Sequence, residues 1–166
     1  KPNQSGSSFG VSKVKSNSQI TEAIKLALEH DNKILIEQFI DGVEISCGVG
    51  ILHNKITAFP ITEIVSQNDF FDFEAKYKGL SKEITPARIN KKITDEVKKI
   101  TEAVYSKMNL KGISRVDFII MNDIPYIIEI NTIPGLSNES IIPKQAKELG
   151  ITLMQLFDHC IESTIK

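Results

Sequence analysis

Two stretches near the end of the chain decide the fold. Residues 114–118 read SRVDF, and residues 128–131 read IEIN. Both alternate polar and apolar side chains, which is typical of strands with one buried face. The segment MNDIP at 121–125 lies between them and predicts the turn of a β-hairpin, which we centre on Asp123.

The predicted hairpin brings four polar residues together on one face. With the turn centred on Asp123, Asp117 lies opposite Glu129 and Arg115 lies opposite Asn131. Residues directly opposed across two antiparallel strands share a face of the sheet. The other face is then apolar and comprises Val116, Phe118, Ile120, Tyr126, Ile128 and Ile130.

This polar face has the chemistry of a metal and phosphate site. Carboxylate and amide oxygens from Asp117, Glu129 and Asn131 are hard ligands suited to Mg²⁺. The guanidinium of Arg115 fits a phosphate or a carboxylate. The alternative is an ordinary solvated face of a half-buried hairpin. The loop NTIPGLSNES at 131–140 favours a site, because its backbone N–H groups can receive an anion beside the carboxylates.

Composition bounds the class of protein. The 166 residues carry 20 Lys and Arg against 21 Asp and Glu, so no basic surface for nucleic acid is indicated. No apolar run approaches the roughly 18 residues of a membrane helix. Cys47 and Cys160 are unclustered, which favours a reducing, cytoplasmic compartment. The chain begins at Lys1-Pro2 without a Met, which we interpret as a piece of a longer protein.

The order of elements predicts a mixed α+β fold with antiparallel pairs. Ser18 is the expected N-cap of a first helix. Residues 66–81 form a long aromatic-rich excursion, and loops of that length are usually functional or disordered. Helices are predicted at 18–30, 91–108, 143–149 and 152–164, and strands at 33–39, 43–52 and 56–65.

Three further stretches are ambiguous alone. The glycine-serine loop at 5–10 has small residues that let backbone approach a phosphate, but it lacks the Walker lysine and is also an ordinary turn. The stretch at 35–44 is an apolar segment that ends in a short hinge. The hinge backbone and the flanking carboxylates could bind a purine, or the hinge could simply connect two strands. The segment DFEAKY at 72–77 is either a flap over a site or surface decoration.

Taken in order, these segments resemble the D-alanine–D-alanine ligase family of the ATP-grasp superfamily. The resemblance covers essentially the whole chain and rests on KP at 1–2, GSSFGVSKV at 6–14, the 37–44 segment, EAKY at 74–77, RVD at 115–117, EINTIPG at 129–135 and Ser140. It implies that residues 1–43 are part of the central ATP-covering lid and that 44–166 form the catalytic domain.

The resemblance implies an ATP-dependent ligation that supplies peptidoglycan precursors. ATP phosphorylates the carboxylate of one D-alanine, and the amine of a second D-alanine attacks the acyl phosphate. Two Mg²⁺ ions, or Mn²⁺, are implied on Asp117, Glu129 and Asn131. Arg115 and the Gly135 N–H face the developing oxyanion, while Ser140 and the Ile141 N–H hold the carboxylate of the second substrate.

The resemblance also implies the nucleotide site and the substrate specificity. Tyr77 bonded to Ser7 accompanies dipeptide synthesis, which favours an amine nucleophile over the hydroxyl of D-lactate. The implied ATP contacts are Lys1, Ser7, Ser8, Glu37, the Gln38 carbonyl, the Ile40 N–H, Glu44, Phe70 and Lys76. No nucleic acid or membrane partner is implied, and the parent enzymes are typically homodimers.

The family has a preceding domain with a glutamate for the first D-alanine and a further phosphate-binding lysine. We therefore expect this chain alone not to turn over. Three rival interpretations stay open on the sequence: another ATP-grasp carboxylate–amine ligase, a non-catalytic nucleotide-binding module, and a glycosidase built on the Asp117–Glu129 pair.

Overall fold

A computed structural model describes residues 1–6, 8–66 and 81–165. The chain divides into two compact units, one of residues 1–40 with 66–82 and one of residues 41–65 with 83–166. Among the described residues, no helix has the length and apolar character needed to cross a membrane. The assignment of 1–43 and 44–166 to separate domains of the family stays a prediction.

The first unit is organised around its opening segment. The Leu35 N–H donates to the Lys1 carbonyl at 2.8 Å, and the Asn3 N–H donates to the Lys33 carbonyl at 2.9 Å. These bonds produce one isolated antiparallel bridge between Pro2 and Ile34. The strand predicted at 33–39 is therefore wrong, because the pairing stops after one bridge and the next apolar side chains stay largely exposed.

The first helix, α1, spans Ile20–Leu28 and confirms the helix predicted from residue 18. A 3₁₀ turn at Asn17–Gln19 precedes it. Ser18 lies inside that turn, so its predicted role as N-cap is wrong. The Gln19 side chain instead accepts a hydrogen bond from the Lys15 N–H at 2.7 Å, which fixes the chain as it enters the helix.

The second unit is built on a six-stranded sheet of the described residues. The strands are β1 (Val43–Leu52), β2 (Lys55–Ala58), β3 (Thr62–Ser66), β4 (Ser81–Ile84), β5 (Ser114–Met121) and β6 (Ile124–Asn131). Their order is β4-β3-β1-β5-β6, while β2 pairs with β1. The β1–β2, β1–β3, β1–β5 and β5–β6 pairings are antiparallel, as predicted.

The single strand predicted at 56–65 is divided into β2 and β3. Phe59, Pro60 and Ile61 separate the two strands, and the Phe59 N–H donates to the Gly48 carbonyl at 2.8 Å. Proline has no N–H to donate to a ladder, so Pro60 interrupts strand pairing. The chain thereby shifts along β1, which pairs with β2 near one end and with β3 near the other.

The β5–β6 hairpin has the predicted partners at its open end. Arg115 pairs with Asn131 and Asp117 pairs with Glu129. Near the turn, the pairing register differs from the prediction by one residue. Asn122 and Asp123 form a two-residue turn with φ of 53° and 60°, so that Met121 pairs with Ile124. A bulge between Asp117 and Phe118 compensates for this difference.

The bulge matters for the polar face. Continuing a two-residue turn without the bulge would place Ile128 opposite Asp117, and Glu129 would no longer oppose it. With the bulge, Ile128 is skipped in the β5–β6 ladder and Glu129 pairs with Asp117. The prediction that Ile128 covers the apolar face is wrong, since its side chain is 39% exposed. Val116 and Phe118 are fully buried, as that prediction requires.

Helices cover the two faces of the sheet unequally. Helix α2 (Lys91–Lys107) begins at Asn90, whose side chain accepts from the Ile93 N–H at 2.9 Å. Ile93 and Val97 of α2 pack with Ile45, Cys47, Val116 and Phe118 on one face. Helices α3 (Ile141–Glu148) and α4 (Leu153–Ile165) contribute Ile142, Ala146 and Leu156 to a second cluster with Leu52 and Phe59.

Candidate active site

The polar cluster lies on the sheet face opposite α2. Along β1, Ile45 and Cys47 belong to the core under α2, so Ser46 and its neighbours two residues away face the other side. Ser46 pairs with Asp117 across β1 and β5, and Glu44 pairs with Ile119. The predicted ribose ligand Glu44 therefore shares a face with Ser46 and Asp117.

Asp117 is the centre of this cluster. Its side chain is 11% exposed and accepts four hydrogen bonds. Arg115 donates from Nε to Oδ1 and from Nη2 to Oδ2, both at 2.8 Å. The Ser46 hydroxyl donates to Oδ1 at 2.5 Å, and the Asn131 amide donates to Oδ2 at 2.9 Å. An ionised carboxylate has about four acceptor positions, so these donors occupy all of them.

Arg115 is charged in this setting. Burial alone would lower its pKa, but the hydrogen bonds and the charge of Asp117 outweigh burial, and the pKa is raised. Glu129 and Glu83 add to this effect from further away. Only two of its five N–H donors bond to Asp117, so the guanidinium keeps donors for a second anion.

Asn131 bridges the two carboxylates of the hairpin. Its Nδ2 lies 2.9 Å from Asp117 Oδ2 and 3.2 Å from Glu129 Oε1. Its amide hydrogens thus occupy the same two oxygens that a cation would contact. The described residues contain no cluster of three or more His, Cys, Asp or Glu suited to a metal ion, so the candidate set here consists of two carboxylates and one amide. The donor set therefore fits a hard divalent cation, provided that the Asn131 amide turns to present Oδ1.

The loop after β6 brings two further predicted residues together. A Cβ atom on Gly135 would lie 2.9 Å from Ser140 Oγ, so only glycine leaves the two in undistorted contact. Ser140 Oγ also lies 2.8 Å from Ser137 Oγ. Ser140 is the N-cap of α3, and its side chain makes no capping bond to that helix. The Ile141 N–H is one of the first amides of the helix, which have no partner within it.

The structure adds Glu83, Lys144 and Gln145 to Ser46 as residues near the cluster that the sequence did not reveal. Lys144, one turn along α3, makes an ion pair with Glu83 at 3.0 Å. Gln145 is fully buried, and it donates to the Ser46 carbonyl at 2.9 Å and accepts from the Gly48 N–H at 3.0 Å. Gln145 thereby joins α3 to the strand beside Asp117. A glutamine inside the run IIPKQAKE gives no such signal in a single sequence.

The predicted nucleotide residues of the first unit form a looser group. Lys1 Nζ and Glu37 Oε2 make an ion pair at 2.5 Å, and Glu37 is about half exposed. Gln38 and Ile40 lie in the irregular stretch that follows, with Gln38 exposed and Ile40 half-buried. Ser8 has φ of 60° within the glycine-serine loop, where the Val11 N–H donates to its carbonyl at 3.3 Å.

Four predicted site residues lie outside the described part of the chain. They are Ser7, Phe70, Lys76 and Tyr77. Their roles in phosphate contact, base packing and nucleophile choice stay predictions from the resemblance.

Comparison with known proteins identifies the family. The model of the family described as D-ala D-ala ligase C-terminus matches residues 1–162. The chain belongs to this family. The D-alanine–D-alanine ligase of Flavobacterium johnsoniae is 53% identical over 165 residues, which is 99% of this chain and 51% of that protein. That of Azobacteroides pseudotrichonymphae is 49% identical over 98% of this chain and 51% of its own length.

Solved structures agree with the sequence comparison. The VanG D-Ala:D-Ser ligase of Enterococcus faecalis superposes with a TM-score of 0.84 at 33% identity, covering 98% of this chain and 48% of that protein. A D-alanine–D-alanine ligase of Bacillus anthracis also gives 0.84, at 32% identity over 99% of this chain and 53% of that protein. The predicted α+β, ATP-grasp fold class is confirmed. The chain spans about half the length of the relatives it matches.

Proposed function

We propose that the full-length protein containing this chain joins two D-alanines to D-alanyl-D-alanine at the expense of ATP. The carboxylate of the first D-alanine attacks the γ-phosphorus, ADP leaves, and an acyl phosphate forms. The amine of the second D-alanine attacks that carbonyl, loses a proton and expels phosphate. The supporting observation is the cluster of Arg115, Asp117, Glu129 and Asn131 on one face of a sheet in a member of this family.

We assign two divalent cations, Mg²⁺ or Mn²⁺, to Asp117, Glu129 and Asn131. When bound, such ions would neutralise the phosphate oxygens as charge redistributes during phosphoryl transfer. The buried position of Asp117 strengthens any charge interaction there, because water screens it less. Arg115 donates to both oxygens of Asp117, so this side chain acts as a hydrogen-bond acceptor, which suits a metal ligand and not the proton donor of a glycosidase.

Arg115 has a second role in this proposal. Its donors beyond those bonded to Asp117 face the oxyanion that develops when the amine attacks the acyl phosphate. Together with the Gly135 N–H, Arg115 stabilises that oxyanion by charge-assisted hydrogen bonds. Ser140 Oγ and the Ile141 N–H bind the carboxylate of the attacking D-alanine, at a helix N-terminus that favours an anion.

We assign ATP to the segments that the resemblance indicates. Lys1 and Ser8 contact phosphates, and Glu37, Gln38 and Ile40 read adenine, with Glu44 on the ribose. Ser7, Phe70, Lys76 and Tyr77 complete the site in this proposal. A related structure was solved with ATP bound, the Bacillus anthracis ligase with a TM-score of 0.82 at 28% identity.

The decisive experiment uses the full-length protein with ATP and Mg²⁺. Phosphate release is measured with D-alanine alone and with D-alanine plus D-serine, D-lactate or L-alanine, and products are identified by mass spectrometry. We expect D-alanyl-D-alanine as the main product. A main product of D-alanyl-D-serine would assign the specificity named for the VanG relative. ATP turnover with none of these substrates would contradict the proposal.

Three attributes accompany this function. We propose a homodimer, which light scattering on the full-length protein tests directly. We propose a cytoplasmic location, supported by two cysteines that are free thiols. We also expect residues 1–166 alone to form no dipeptide, and detection of dipeptide from that chain would overturn this expectation.

A further inference from the structure

We infer that Ser46 is a positioning residue for the cation. Its hydroxyl bonds to one carboxylate oxygen of Asp117, so the other oxygen is the only one of the two that binds the metal. This inference rests on the cation site proposed above. It assigns Asp117 Oδ2, and not Oδ1, to the metal.

The hydrogen bonds around Asp117 distinguish its two oxygens. Oδ1 accepts from Ser46 Oγ and Arg115 Nε, whereas Oδ2 accepts from Arg115 Nη2 and Asn131 Nδ2. Asn131 is the only one of these donors that is itself a proposed metal ligand. When its amide turns to present Oδ1, it vacates Asp117 Oδ2 and Glu129 Oε1, while both hydrogen bonds to Asp117 Oδ1 stay in place. A cation therefore meets one free position on Asp117, between Oδ2 and Glu129.

Ser46 is well placed to keep Oδ1 occupied. The residue is fully buried, so water does not compete for its hydroxyl. Its carbonyl accepts from Gln145 Nε2 at 2.9 Å, and Gln145 accepts from the Gly48 N–H at 3.0 Å. Gln145 also donates to Thr62 Oγ1 at 3.0 Å, which anchors the same side chain to β3. The backbone that carries Ser46 is thus fixed from α3 as well as by its own sheet.

Removing the hydroxyl has a specific consequence. Without Ser46 Oγ, one acceptor position on Oδ1 is empty and the carboxylate is free to rotate, so either oxygen can meet the cation. Loss of such an outer partner typically weakens metal affinity by about 10–100-fold. A purely structural serine would change thermal stability without changing metal affinity.

The chain offers a matched control in Ser114. It is also a fully buried serine, on the neighbouring strand β5, and its Oγ has no hydrogen-bond partner among the described residues. Ser46→Ala and Ser114→Ala each remove one buried hydroxyl, but only the first removes a contact to Asp117. Ser46→Cys is the second test variant, because it fills the space with a thiol that is a weak donor.

The experiment is an EPR titration of Mn²⁺ into the full-length protein saturated with the non-hydrolysable analogue AMP-PNP. We expect the Mn²⁺ dissociation constant to rise about 10–100-fold in Ser46→Ala and in Ser46→Cys, and to be unchanged in Ser114→Ala. Melting temperatures identify variants that have not folded. If Ser46→Ala does not fold, the Mn²⁺ affinity of Ser46→Cys decides the test.

Each outcome separates this inference from the function on which it rests. Parental Mn²⁺ affinity in a folded Ser46→Ala or Ser46→Cys protein would overturn the positioning role alone. An equal loss in Ser114→Ala would also overturn it, because the effect would not depend on contact with Asp117. Failure of the unmodified protein to bind Mn²⁺ with the nucleotide analogue would overturn the proposed cation site and this inference together.

Discussion

The predicted site residues of the two compact units are built on different kinds of structure. The residues around Asp117 stand on paired strands of one sheet, and their side chains are joined by bonds of 2.5–3.2 Å. The predicted nucleotide residues 37–40 stand on irregular backbone, and Lys1 meets Glu37 at the surface. The strand cluster is fixed by strand pairing and by hydrogen bonds between its side chains, whereas Glu37 of the predicted nucleotide segment is held by an ion pair at the surface. Substitutions in the two regions should therefore have different consequences.

The largest effect is expected at Arg115. Arg115→Ala in the full-length protein removes a charged donor from the proposed oxyanion site, and loss of one such donor costs about 10²–10³ in kcat. Arg88→Ala is the control, because Arg88 also holds a carboxylate, Glu63, by two side-chain hydrogen bonds. Steady-state kinetics should show a near-parental kcat for Arg88→Ala. Equal losses in both variants would contradict a specific role for Arg115.

The next effect tests the attachment of α3 to the strand cluster. A Cβ on Gly48 would lie 2.5 Å from Gln145 Oε1 and 2.7 Å from Ile142 Cδ1. Gly48→Ala overpacks this contact, which typically costs about 1–3 kcal/mol of unfolding free energy. Urea unfolding measures the change, and Gly112→Ala is unsuitable as a control because its φ is 62°. Gly6→Ala, where a Cβ meets nothing within 4 Å, should be near neutral.

A smaller, pH-dependent effect is expected at Glu63. The side-chain hydrogen bond from Arg88 is the largest cause that lowers the pKa of Glu63. A lowered folded-state pKa stabilises the protein above the ordinary glutamate value of about 4.3, and the contribution is lost as pH falls through the folded-state pKa.

Melting temperatures of the parent and Glu63→Gln measured between pH 7 and pH 3 test this sign. The parent should be the more stable protein near neutral pH, and the difference should shrink towards pH 3. A difference that grows as the pH falls would contradict the assignment.

The smallest effect on folding is expected at Lys1. Its ion pair with Glu37 lies at the surface, and exposed pairs typically contribute about 0–1 kcal/mol. Lys1→Met in the full-length protein should leave the melting temperature nearly unchanged and weaken AMP-PNP binding by calorimetry. A large loss of stability in Lys1→Met with unchanged AMP-PNP affinity would contradict the expected difference between the strand cluster and the predicted nucleotide residues.

The strand cluster was predictable from the sequence because alternation in a strand is a regular signal. Four polar residues at positions 115, 117, 129 and 131 obey period two, and their pairing was predicted correctly. The turn was misplaced by one residue, and the bulge after Asp117 absorbs that difference. Nothing in the local sequence marks the bulge, because Ile127 and Ile128 are identical side chains.

Other features were not accessible to the same reasoning. Residues 33–39 have the composition of a strand, but a strand requires a partner, and only Ile34 has one within the described ladders and bridges. Ser46 stands in the apolar run VEISCGVG, where a serine is indistinguishable from a small core residue. Its contact with Asp117 joins residues 71 positions apart, and only the folded sheet brings them together.

We propose that Asp117, Glu129 and Asn131 hold the two divalent cations, with Asp117 contributing Oδ2. An anomalous difference map from crystals of the full-length protein grown with Mn²⁺ and AMP-PNP tests this proposal. We expect Mn²⁺ peaks whose direct protein ligands are Asp117 Oδ2, Glu129 and the turned amide oxygen of Asn131, while Ser46 still bonds to Oδ1. A Mn²⁺ peak that contacts none of these side chains, or that meets Asp117 through Oδ1, would contradict it.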